Sequence, residues 1–386
     1  METWSAHQLF QESSKRLGQA TAGKVQQYAT ALRSKGLPVV FSLGHLGRIT
    51  GINYDFLHAS VNRSFESFSY TMFSVKKRSG GRRFIHAVNG KLHYLHQYLN
   101  EEILQNIEPH PASYAFHASG GIKQCAEMHC DCRWLLQFDL KDFFYSITEP
   151  AIYRIFAELG YKPLLAFELA RLCTTVRLPK SLYHNVKHSN GYPLSEIDER
   201  PLPYAPQVLL GVLPQGAPTS PMLSNLVARR LDMALFRYAQ ENGFVYTRYA
   251  DDLAFSASVL PSTKSIGQLK REIISLIRKN GFLENRRKIR IGGPGSKKVV
   301  LGLLVDGEKP RLTKELRKRI DRNLYSIEEH GIVAAANHDN FESTYGFFNH
   351  ISGLISFVHD VDLDAWKKFH PRFEEIEKRL TAGDLS

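Results

Sequence analysis

The sequence TRYADDLAFS, residues 247–256, places two aspartates side by side between two short runs of aromatic and aliphatic residues. Such runs favour β-strands, and the two strands would meet at a tight turn that contains Asp251 and Asp252. Adjacent carboxylates repel each other, so the pair is unfavourable unless a positive charge lies nearby. Taken alone, the stretch predicts a β-hairpin with an acidic turn. A metal site is the alternative, and it needs support from elsewhere in the chain.

Length and composition are those of a globular chain. Its 386 residues are enough for two or three packed subdomains, and 43% of them are hydrophobic. The sequence has no apolar run long enough to span a membrane, and its first residues lack the apolar core and cleavage site of a signal peptide. Four cysteines, three of them clustered, fit a reducing compartment. We therefore expect a cytoplasmic protein with no membrane partner.

The charge of the chain points to an anionic partner. Fifty Lys and Arg residues against 38 acidic residues give a formal net charge of +12. A positive field of this size favours nucleic acid or another anionic surface, although many proteins without such a partner are also basic. Charge alone therefore selects no function.

Periodicity and turn signals divide the chain into helices and short strands, which indicates a mixed α+β fold. In the first half we expect a helix over 1–36, a cationic hairpin over 70–88, a helix over 90–107, a buried strand over 133–139, helices over 151–174 and a polar inserted loop over 175–212. In the second half we expect a helix over 220–243, the acidic hairpin, a helix over 263–280, two short strands within 287–305, a basic amphipathic helix from Arg311 and a helical tail over 341–382.

A third carboxylate supports the metal site. Asp139 ends an apolar strand, where an unpaired carboxylate would be costly to bury, although capping of the next helix would also explain it. Two carboxylates at a hairpin turn and a third on another strand can hold a pair of divalent cations for phosphoryl transfer. Magnesium suits such a site because it takes few carboxylates and completes its shell with phosphate and water, and Mn²⁺ is an expected substitute.

Three strings in this order and spacing carry a family resemblance: FDLKDFF (138–144), LPQGAPTSPMLSNL (213–226) and YADDLAFS (249–256). Together they resemble the palm motifs of reverse transcriptases, and more narrowly those of bacterial retron-type and defence-associated enzymes. The resemblance implies a right-hand polymerase fold within the α+β class. The regions it implies are an N-terminal helical extension (1–64), fingers (65–138), a palm (139–305, with the inserted loop 175–212), and a thumb with C-terminal helices (306–386).

The resemblance also implies roles for single residues. The catalytic, metal-binding acids would be Asp139, Asp251 and Asp252. Nucleotide contacts would come from Lys77, Arg83, Phe144, Gln215 and Lys288. Template or primer contacts would come from Tyr249, Gly216, Arg311, Lys314, Arg317 and Lys318. Phe144 would be the steric gate, because a ring there clashes with a ribose 2′-hydroxyl. For each of the cations, a solvated surface position is the alternative.

Two strings depart from the retron pattern. Cys125 stands where an Asn-Ala-x-x-His element has Asn, and Leu301 stands where a Val-Thr-Gly element has Thr. Both departures, with the inserted loop, favour a related defence-associated group. The cluster Cys125, His129, Cys130 and Cys132 also suggests zinc, but it lacks the paired C-x2-C knuckles of zinc sites. Buried thiols beside a structural histidine are the alternative.

The resemblance implies an RNA-directed DNA polymerase, in which a primer 3′-hydroxyl attacks the α-phosphate of a dNTP. Expected partners are a structured non-coding RNA template, dNTPs, the DNA product and the RNA–DNA duplex, and a protein partner or a homo-oligomer stays open. Three alternatives remain: non-templated or protein-primed DNA synthesis of an abortive-infection type, an RNA-polymerising palm enzyme, and an inactive RNA-binding scaffold. No ribonuclease H, maturase or endonuclease domain is expected after the thumb.

Overall fold

A computed structural model describes residues 5–64, 66–76, 80–185 and 210–382, and these residues form an α+β fold, as predicted. The chain divides into two compact units. Unit 1 comprises Met1–Ala118, Leu140–Leu235 and Glu272–Asn285. Unit 2 comprises Ser119–Asp139, Phe236–Arg271 and Arg286–Ser386. The four regions from N-terminal extension to thumb stay a prediction.

Helices and strands alternate irregularly along the described ranges. The helices are α1 Ala6–Leu17, α2 Gln19–Arg33, α3 Leu43–Thr50, α4 Tyr54–Val61, α5 Glu66–Ser69, α6 Gly90–Glu102, α7 Ile122–Glu127, α8 Phe143–Ser146, α9 Glu149–Leu159, α10 Pro163–Leu172, α11 Ser220–Glu241, α12 Ile266–Lys279, α13 Lys314–His338, α14 Thr344–Val361 and α15 Leu363–Ala382. The strands are β1 Tyr70–Lys76, β2 Arg82–Val88, β3 Trp134–Asp139, β4 Val245–Tyr249, β5 Asp252–Ala257, β6 Arg290–Gly292, β7 Val299–Val300, β8 Leu303–Leu304 and β9 Arg311–Leu312.

Two predicted helices of unit 1 are each broken in two. The helix predicted over 1–36 is wrong as a single element, because Gly18 (φ 80°, ψ 158°) separates α1 from α2. Glycine takes this left-handed φ without a steric penalty. The helical prediction for 151–174 is confirmed in type, but Gly160 (φ 108°) ends α9 and Pro163 begins α10. Glycine past the end of a helix and proline at the start of the next are the expected punctuation.

The cationic hairpin of unit 1 is confirmed. Strands β1 and β2 form a two-stranded antiparallel sheet in which Lys76 lies opposite Arg82. Lys77, which was predicted to contact the nucleotide, lies outside the described residues. Most of the predicted inserted loop, residues 186–209, also lies outside them.

A buried ion network joins Arg63, which follows α4, to two later helices of unit 1. Glu149 on α9 accepts hydrogen bonds from Arg63 Nη2 (2.6 Å) and from Arg171 Nη1 on α10 (3.3 Å). Arg63 also donates to the Thr174 carbonyl (2.8 Å). Removing one partner would leave a buried charge without its counter-ion, so the network fixes this segment in place.

The central sheet of unit 2 has four antiparallel strands in the order β4-β5-β3-β6. Strand β3 is therefore internal, which agrees with its near-continuous apolar sequence. The predicted acidic hairpin corresponds to β4 and β5, joined by the turn Ala250-Asp251. The sheet order brings strands from distant parts of the sequence side by side.

The C-terminal part of unit 2 differs from the prediction in two details. Three strands, rather than two, occur within 287–305, and β8 pairs with both β7 and β9. The helix predicted from Arg311 begins at Lys314, because Arg311–Leu312 pairs as β9 and Thr313 caps the helix by accepting from the Leu316 N–H (3.3 Å). The helical tail is confirmed as α14 and α15.

One apolar core runs through unit 2 from the sheets to the C-terminal helices. It includes Leu135 and Ala254 of the central sheet, Leu303 of the small sheet, and Ile320 and Ile351 of the helices. Within the part of the chain that the structure describes, none of the helices is both long and apolar enough to cross a lipid bilayer.

Candidate active site

Three aspartates lie at one end of the central sheet of unit 2. Asp139 is the last residue of β3 and pairs directly with Asp252, the first residue of β5. Asp251 precedes Asp252 in the turn from β4. Paired Cα atoms of antiparallel strands lie about 4.5–5.5 Å apart. Helix capping does not explain Asp139, since α8 begins after Asp142. The register therefore gathers all three predicted acids.

Positive groups neutralise part of the charge of these carboxylates. Lys288 donates its ammonium to Oδ2 of the buried Asp139. Partial burial disfavours this ammonium, yet the hydrogen bond to Asp139 and the other carboxylates raise the pKa of Lys288. Loss of water around its carboxylate, followed by the charges of Asp251 and Asp139, raises the pKa of Asp252 to about 6, although Lys288 and Arg290 oppose this. A raised carboxyl pKa is what an incompletely neutralised acidic cluster shows.

The acidic turn has a conformation that few residues adopt. Ala250 has a φ of 55°, which residues other than glycine rarely take. The guanidinium of Arg248, which has no exposed surface, donates to the Ala250 carbonyl over 3.2 Å. Arg248 therefore supports the turn from inside the unit. Arg248 was not predicted as a functional residue, and the one signal in the sequence was a charged side chain among the aromatic and β-branched residues of β4.

A buried histidine supports the two strands that flank the turn. Both ring nitrogens of His129 lie 2.7 Å from hydroxyl oxygens, Nδ1 from Ser256 on β5 and Nε2 from Thr247 on β4. The thiol of Cys125 donates to the same Thr247 hydroxyl over 3.3 Å. Burial lowers the pKa of His129 to about 4, and it raises the pKa of Cys125 to about 11. The structure favours the alternative to zinc, because a zinc ligand needs a free nitrogen or a thiolate.

The aspartates fit a divalent cation in their chemistry, but they do not form a finished cage. Across the described ranges, no three His, Cys, Asp or Glu side chains stand close enough together to hold a metal ion by themselves. Lys288 instead neutralises Asp139. Carboxylate oxygens are the donors that Mg²⁺ prefers, and the raised pKa of Asp252 shows that the cluster can accept more positive charge. Metal binding at Asp139 therefore requires Lys288 to release or share this carboxylate.

A cavity of about 330 Å³ opens beside the aspartates within unit 2. Its walls include Asp139, Tyr249, Asp252 and Lys288, together with residues 299–302. This volume is at the lower end of the range for ligand pockets, about 300–1,000 Å³. The cavity is thus lined by the aspartate cluster, by Tyr249, which was predicted to contact the template or primer, and by the segment that contains Leu301.

Two of the candidates in unit 1 contact strand β2 directly. The Gln215 carbonyl accepts a hydrogen bond from the His86 N–H over 2.8 Å. Gly216 has a φ of 113°, and a Cβ atom there would lie 3.0 Å from the His86 carbonyl oxygen and 2.9 Å from the Ile85 side chain. The close backbone approach expected at Gly216 is therefore an approach to β2, the strand that carries the exposed Arg83.

Phe144 lies on α8 in the same unit and is partly exposed. Its ring centroid is 5.5 Å from that of Phe143 and 6.3 Å from that of Phe116. The next residue, Tyr145, donates its hydroxyl proton to the Phe84 carbonyl over 2.8 Å, which ties α8 to β2. The sequence analysis did not single out Phe116, because it lies in a turn-rich segment without periodicity.

The four cations of unit 2 that were predicted to contact the template or primer have different surroundings. Arg311 pairs with Asp306 over 2.9 Å, and Arg317 pairs with Asp362 over 2.5 Å. Lys314 and Lys318 are exposed on the first turns of α13, and neither has a carboxylate partner among the described residues. Of these four cations, Lys314 and Lys318 are the ones whose charge is available to a phosphate backbone, as the prediction requires.

Comparisons with known proteins identify the family of this chain. The sequence profile of the family described as reverse transcriptase (RNA-dependent DNA polymerase) matches residues 75–303. The retron Ec86 reverse transcriptase of Escherichia coli is 28% identical over 92% of this chain and 95% of its own length. The retron Mx65 reverse transcriptase of Myxococcus xanthus is 31% identical over 84% of this chain and 69% of its own length.

A solved telomerase structure from Candida albicans aligns over 80% of this chain and 56% of its own, with 14% identity and a TM-score of 0.40. The family assignment rests on the sequence matches, since the profile spans more than half of the chain and includes all three aspartates. This chain belongs to the reverse transcriptase family of RNA-directed DNA polymerases.

Proposed function

We propose that this reverse transcriptase is a retron enzyme that copies a dedicated, structured non-coding RNA into DNA in the cytoplasm. The two relatives above are both retron reverse transcriptases, and this chain spans 95% and 69% of their lengths. The net charge of +12 suits an RNA template and an RNA–DNA duplex as partners. The departures at Cys125 and Leu301 thus occur in a chain that resembles retron enzymes throughout.

The register that pairs Asp139 with Asp252 beside Asp251 carries the proposal for the site. These three acids would hold two Mg²⁺ ions, for which Mn²⁺ is an expected substitute. Two bound ions would stabilise the attacking and the leaving oxygens of the nucleotidyl transfer. Lys288 neutralises Asp139 when the site is at rest, and its ammonium then becomes available to the departing pyrophosphate.

The residues of unit 1 would select the nucleotide. Arg83, on the exposed end of β2, suits a bidentate grip on the triphosphate, and Lys77 is predicted to add a point contact. The partly exposed ring of Phe144 would exclude a ribose 2′-hydroxyl. Gln215, whose backbone is fixed to His86, would contact the incoming nucleotide and the template.

Template and primer would be held by Gly216, by Tyr249 in the wall of the cavity, and by the thumb cations. Among these cations, Lys314 and Lys318 are exposed without a carboxylate partner in the described ranges, which supports a role for them in phosphate binding. Arg311 and Arg317 would have to leave their carboxylate partners to do the same.

Asp251→Asn tests the proposed site. The substitution removes a charge and keeps the shape, so we expect loss of dNTP incorporation by at least about a hundredfold, as for other removals of transition-state charge stabilisation. The measurement is extension of a DNA primer on an RNA template by the purified protein. Asp360→Asn, a matched change on the exposed surface of α14, should retain wild-type activity. Full activity of the Asp251→Asn protein would contradict the assignment of the acids.

Sequencing of copurified nucleic acid tests the template. A fixed RNA joined to complementary DNA supports the retron proposal. Repetitive DNA without a matching RNA would favour the alternative of non-templated or protein-primed synthesis, and RNA without any DNA would favour the scaffold alternative. A role in antiphage defence rests on the family resemblance and stays a prediction, which phage plating on cells with wild-type or Asp251→Asn protein would check.

A further inference from the structure

Phe116 has an unusual backbone conformation beside the candidate steric gate. Its φ is 69°, a left-handed value that bulky side chains rarely adopt, and 36% of its surface is exposed. Its ring centroid lies 6.3 Å from that of Phe144, with 46° between the ring planes. Strained backbone persists only where the surroundings enforce it, and such positions cluster at functional sites.

The surroundings of Phe116 do enforce this conformation. Asn225 on α11 has no exposed surface; its amide nitrogen donates to the Ala115 carbonyl over 2.6 Å, and its amide oxygen accepts from the Ser113 hydroxyl over 3.0 Å. The Gln105 amide donates to the Phe116 carbonyl over 3.2 Å. These bonds hold the backbone at Phe116 and on its N-terminal side. Asn225 belongs to the LPQGAPTSPMLSNL string, so this string also anchors the segment that carries Phe116.

Phe144 has two aromatic neighbours. The first is the buried Phe143, whose ring packs in turn against Phe282 with 5.7 Å between centroids. The second is Phe116. Phe143 is the adjacent residue on α8, whereas the backbone that carries Phe116 is held separately by Asn225. Without the Phe116 ring, the partly exposed Phe144 ring would gain freedom to turn away.

We propose that Phe116 is a positioning residue that fixes the Phe144 ring and thereby sets the selectivity of the enzyme for deoxynucleotides over ribonucleotides. The inference rests on the proposed role of Phe144 as the gate. A gate excludes a 2′-hydroxyl only if its ring cannot move aside, and the Phe116 ring, which a separate segment holds next to Phe144, would restrict this movement. An aromatic pair of this kind is strong enough to change selectivity by roughly two- to tenfold.

The experiment measures single-nucleotide incorporation of dGTP and GTP on an annealed RNA template and DNA primer, and it compares the ratio of kcat/KM values. Phe116→Gly removes the ring and relieves the positive φ, whereas Phe116→Ala removes the ring and keeps the strain. We expect both variants to lose roughly two- to tenfold in selectivity. Phe116→Tyr, which keeps the ring, should retain wild-type selectivity.

A double-mutant cycle separates positioning from a general loss of structure. If Phe116 acts through Phe144, adding Phe116→Gly to Phe144→Ala should not lower selectivity further. Phe68→Ala removes another exposed ring of unit 1, 77% exposed, and should leave the selectivity ratio unchanged. Thermal unfolding of each variant checks that the fold is retained.

Failure of the inference can be told from failure of the proposed function. If Phe144→Ala lowers selectivity and both Phe116 variants keep the wild-type ratio, Phe116 does not position the gate and the inference is wrong. If Phe144→Ala leaves the ratio unchanged, the gate assignment itself is wrong, and the inference falls with it. Additive losses in the double variant would show that Phe116 acts independently of Phe144, which also contradicts the inference.

Discussion

At the scale of single residues, Lys288 links the electrostatics of the site to its catalysis. Its ammonium donates a hydrogen bond to Asp139 and lowers the pKa of Asp252. Lys288→Met should therefore change both the turnover of the enzyme and its pH dependence. We expect turnover to fall about tenfold or more, since a charge-assisted hydrogen bond contributes about 1.5–3 kcal/mol. The acid limb of the pH–rate profile should move to higher pH, because Asp252 then loses a cation that lowers its pKa.

Initial rates between pH 5 and 8 at saturating Mg²⁺ provide the measurement for Lys288→Met. Lys297→Met is the matched control, because this exposed lysine pairs with Glu315 (2.9 Å) and takes no part in the aspartate cluster. A Lys288→Met enzyme with the turnover and pH profile of the wild type would show that the contact with Asp139 has no catalytic consequence.

His129 gives a prediction for stability at low pH. Its folded-state pKa is about 4, below the ordinary value of 6.5, so the unfolded chain binds a proton that the folded protein excludes. The contribution of the neutral His129 ring to the free energy of unfolding is fully present above pH 6.5 and is lost as the pH falls towards 4. The wild type should therefore lose stability relative to His129→Gln by roughly 1.4 kcal/mol per pH unit within this range.

Chemical denaturation of wild type and His129→Gln at pH 7 and pH 5 measures this difference. The exposed His330 on α13 offers a control, since His330→Gln should show the same pH dependence as the wild type. An equal loss of stability in wild type and His129→Gln on acidification would mean that the buried ring does not titrate as described.

At the scale of elements, the sequence predicts features that depend on local patterns better than features that depend on long-range contacts. The hairpins were predictable because alternation and turn residues lie within a few positions of each other. The break at Gly18 was not, because a single glycine is often tolerated within a helical pattern. The start of α13 was misplaced because Arg311 and Leu312 continue the amphipathic pattern, whereas their pairing with β8 depends on the fold.

In the candidate site, too, some residues were predictable from the sequence, whereas their long-range contacts were not. Motif strings located the aspartates, Phe144 and Gln215 without any structure. The contact of Lys288 with Asp139 and the hydroxyl partners of His129 connect residues more than 100 positions apart, and periodicity carries no information on such pairs. Phe116 was missed for this reason too, since its significance comes from a ring that belongs to another segment.

Gly216 gives a prediction about the contact between its loop and strand β2. In Gly216→Ala the new Cβ would lie 3.0 Å from the His86 carbonyl oxygen, at a φ of 113° that alanine disfavours. We expect a loss of about 1–3 kcal/mol in the free energy of unfolding and a higher KM for dNTPs, because Gln215 must shift with its neighbour.

Thermal unfolding and steady-state kinetics of Gly216→Ala measure these two effects. Gly23→Ala on α2 is the control, because nothing beyond the local helix backbone lies within 4 Å of its Cβ position, and alanine there should be neutral or stabilising. Unchanged KM and stability in Gly216→Ala would indicate that the loop and β2 can separate without consequence.

At the scale of the whole molecule, the net charge of +12 should make binding of an RNA–DNA duplex strongly salt-dependent. Individual cations contribute to this dependence only if they reach phosphates. Lys318→Gln should therefore reduce the slope of log K against log salt by about 1, whereas Lys24→Gln, on the exposed surface of α2, should leave it unchanged.

Fluorescence titration of a labelled duplex at several salt concentrations gives the slope for each variant. Arg317→Gln is informative beside it, because the pairing of Arg317 with Asp362 predicts a smaller change in slope than for Lys318. A slope for Lys318→Gln that equals the wild-type value would exclude Lys318 from the phosphate contacts.

The order of strands in the central sheet has a consequence for synthesis of the protein. Strand β3 leaves the ribosome first, but its neighbour β5 lies 113 positions later in the chain, as the pairing of Asp139 with Asp252 shows. At about 5–20 residues per second, the ribosome needs roughly 6–23 seconds to deliver that partner. During this time the apolar strand has no ladder to join and is exposed to aggregation and to chaperones. The active site therefore forms late in folding, because it depends on contacts between residues far apart in the chain. After dilution from denaturant, polymerase activity should return more slowly than the far-ultraviolet circular dichroism signal of the helices.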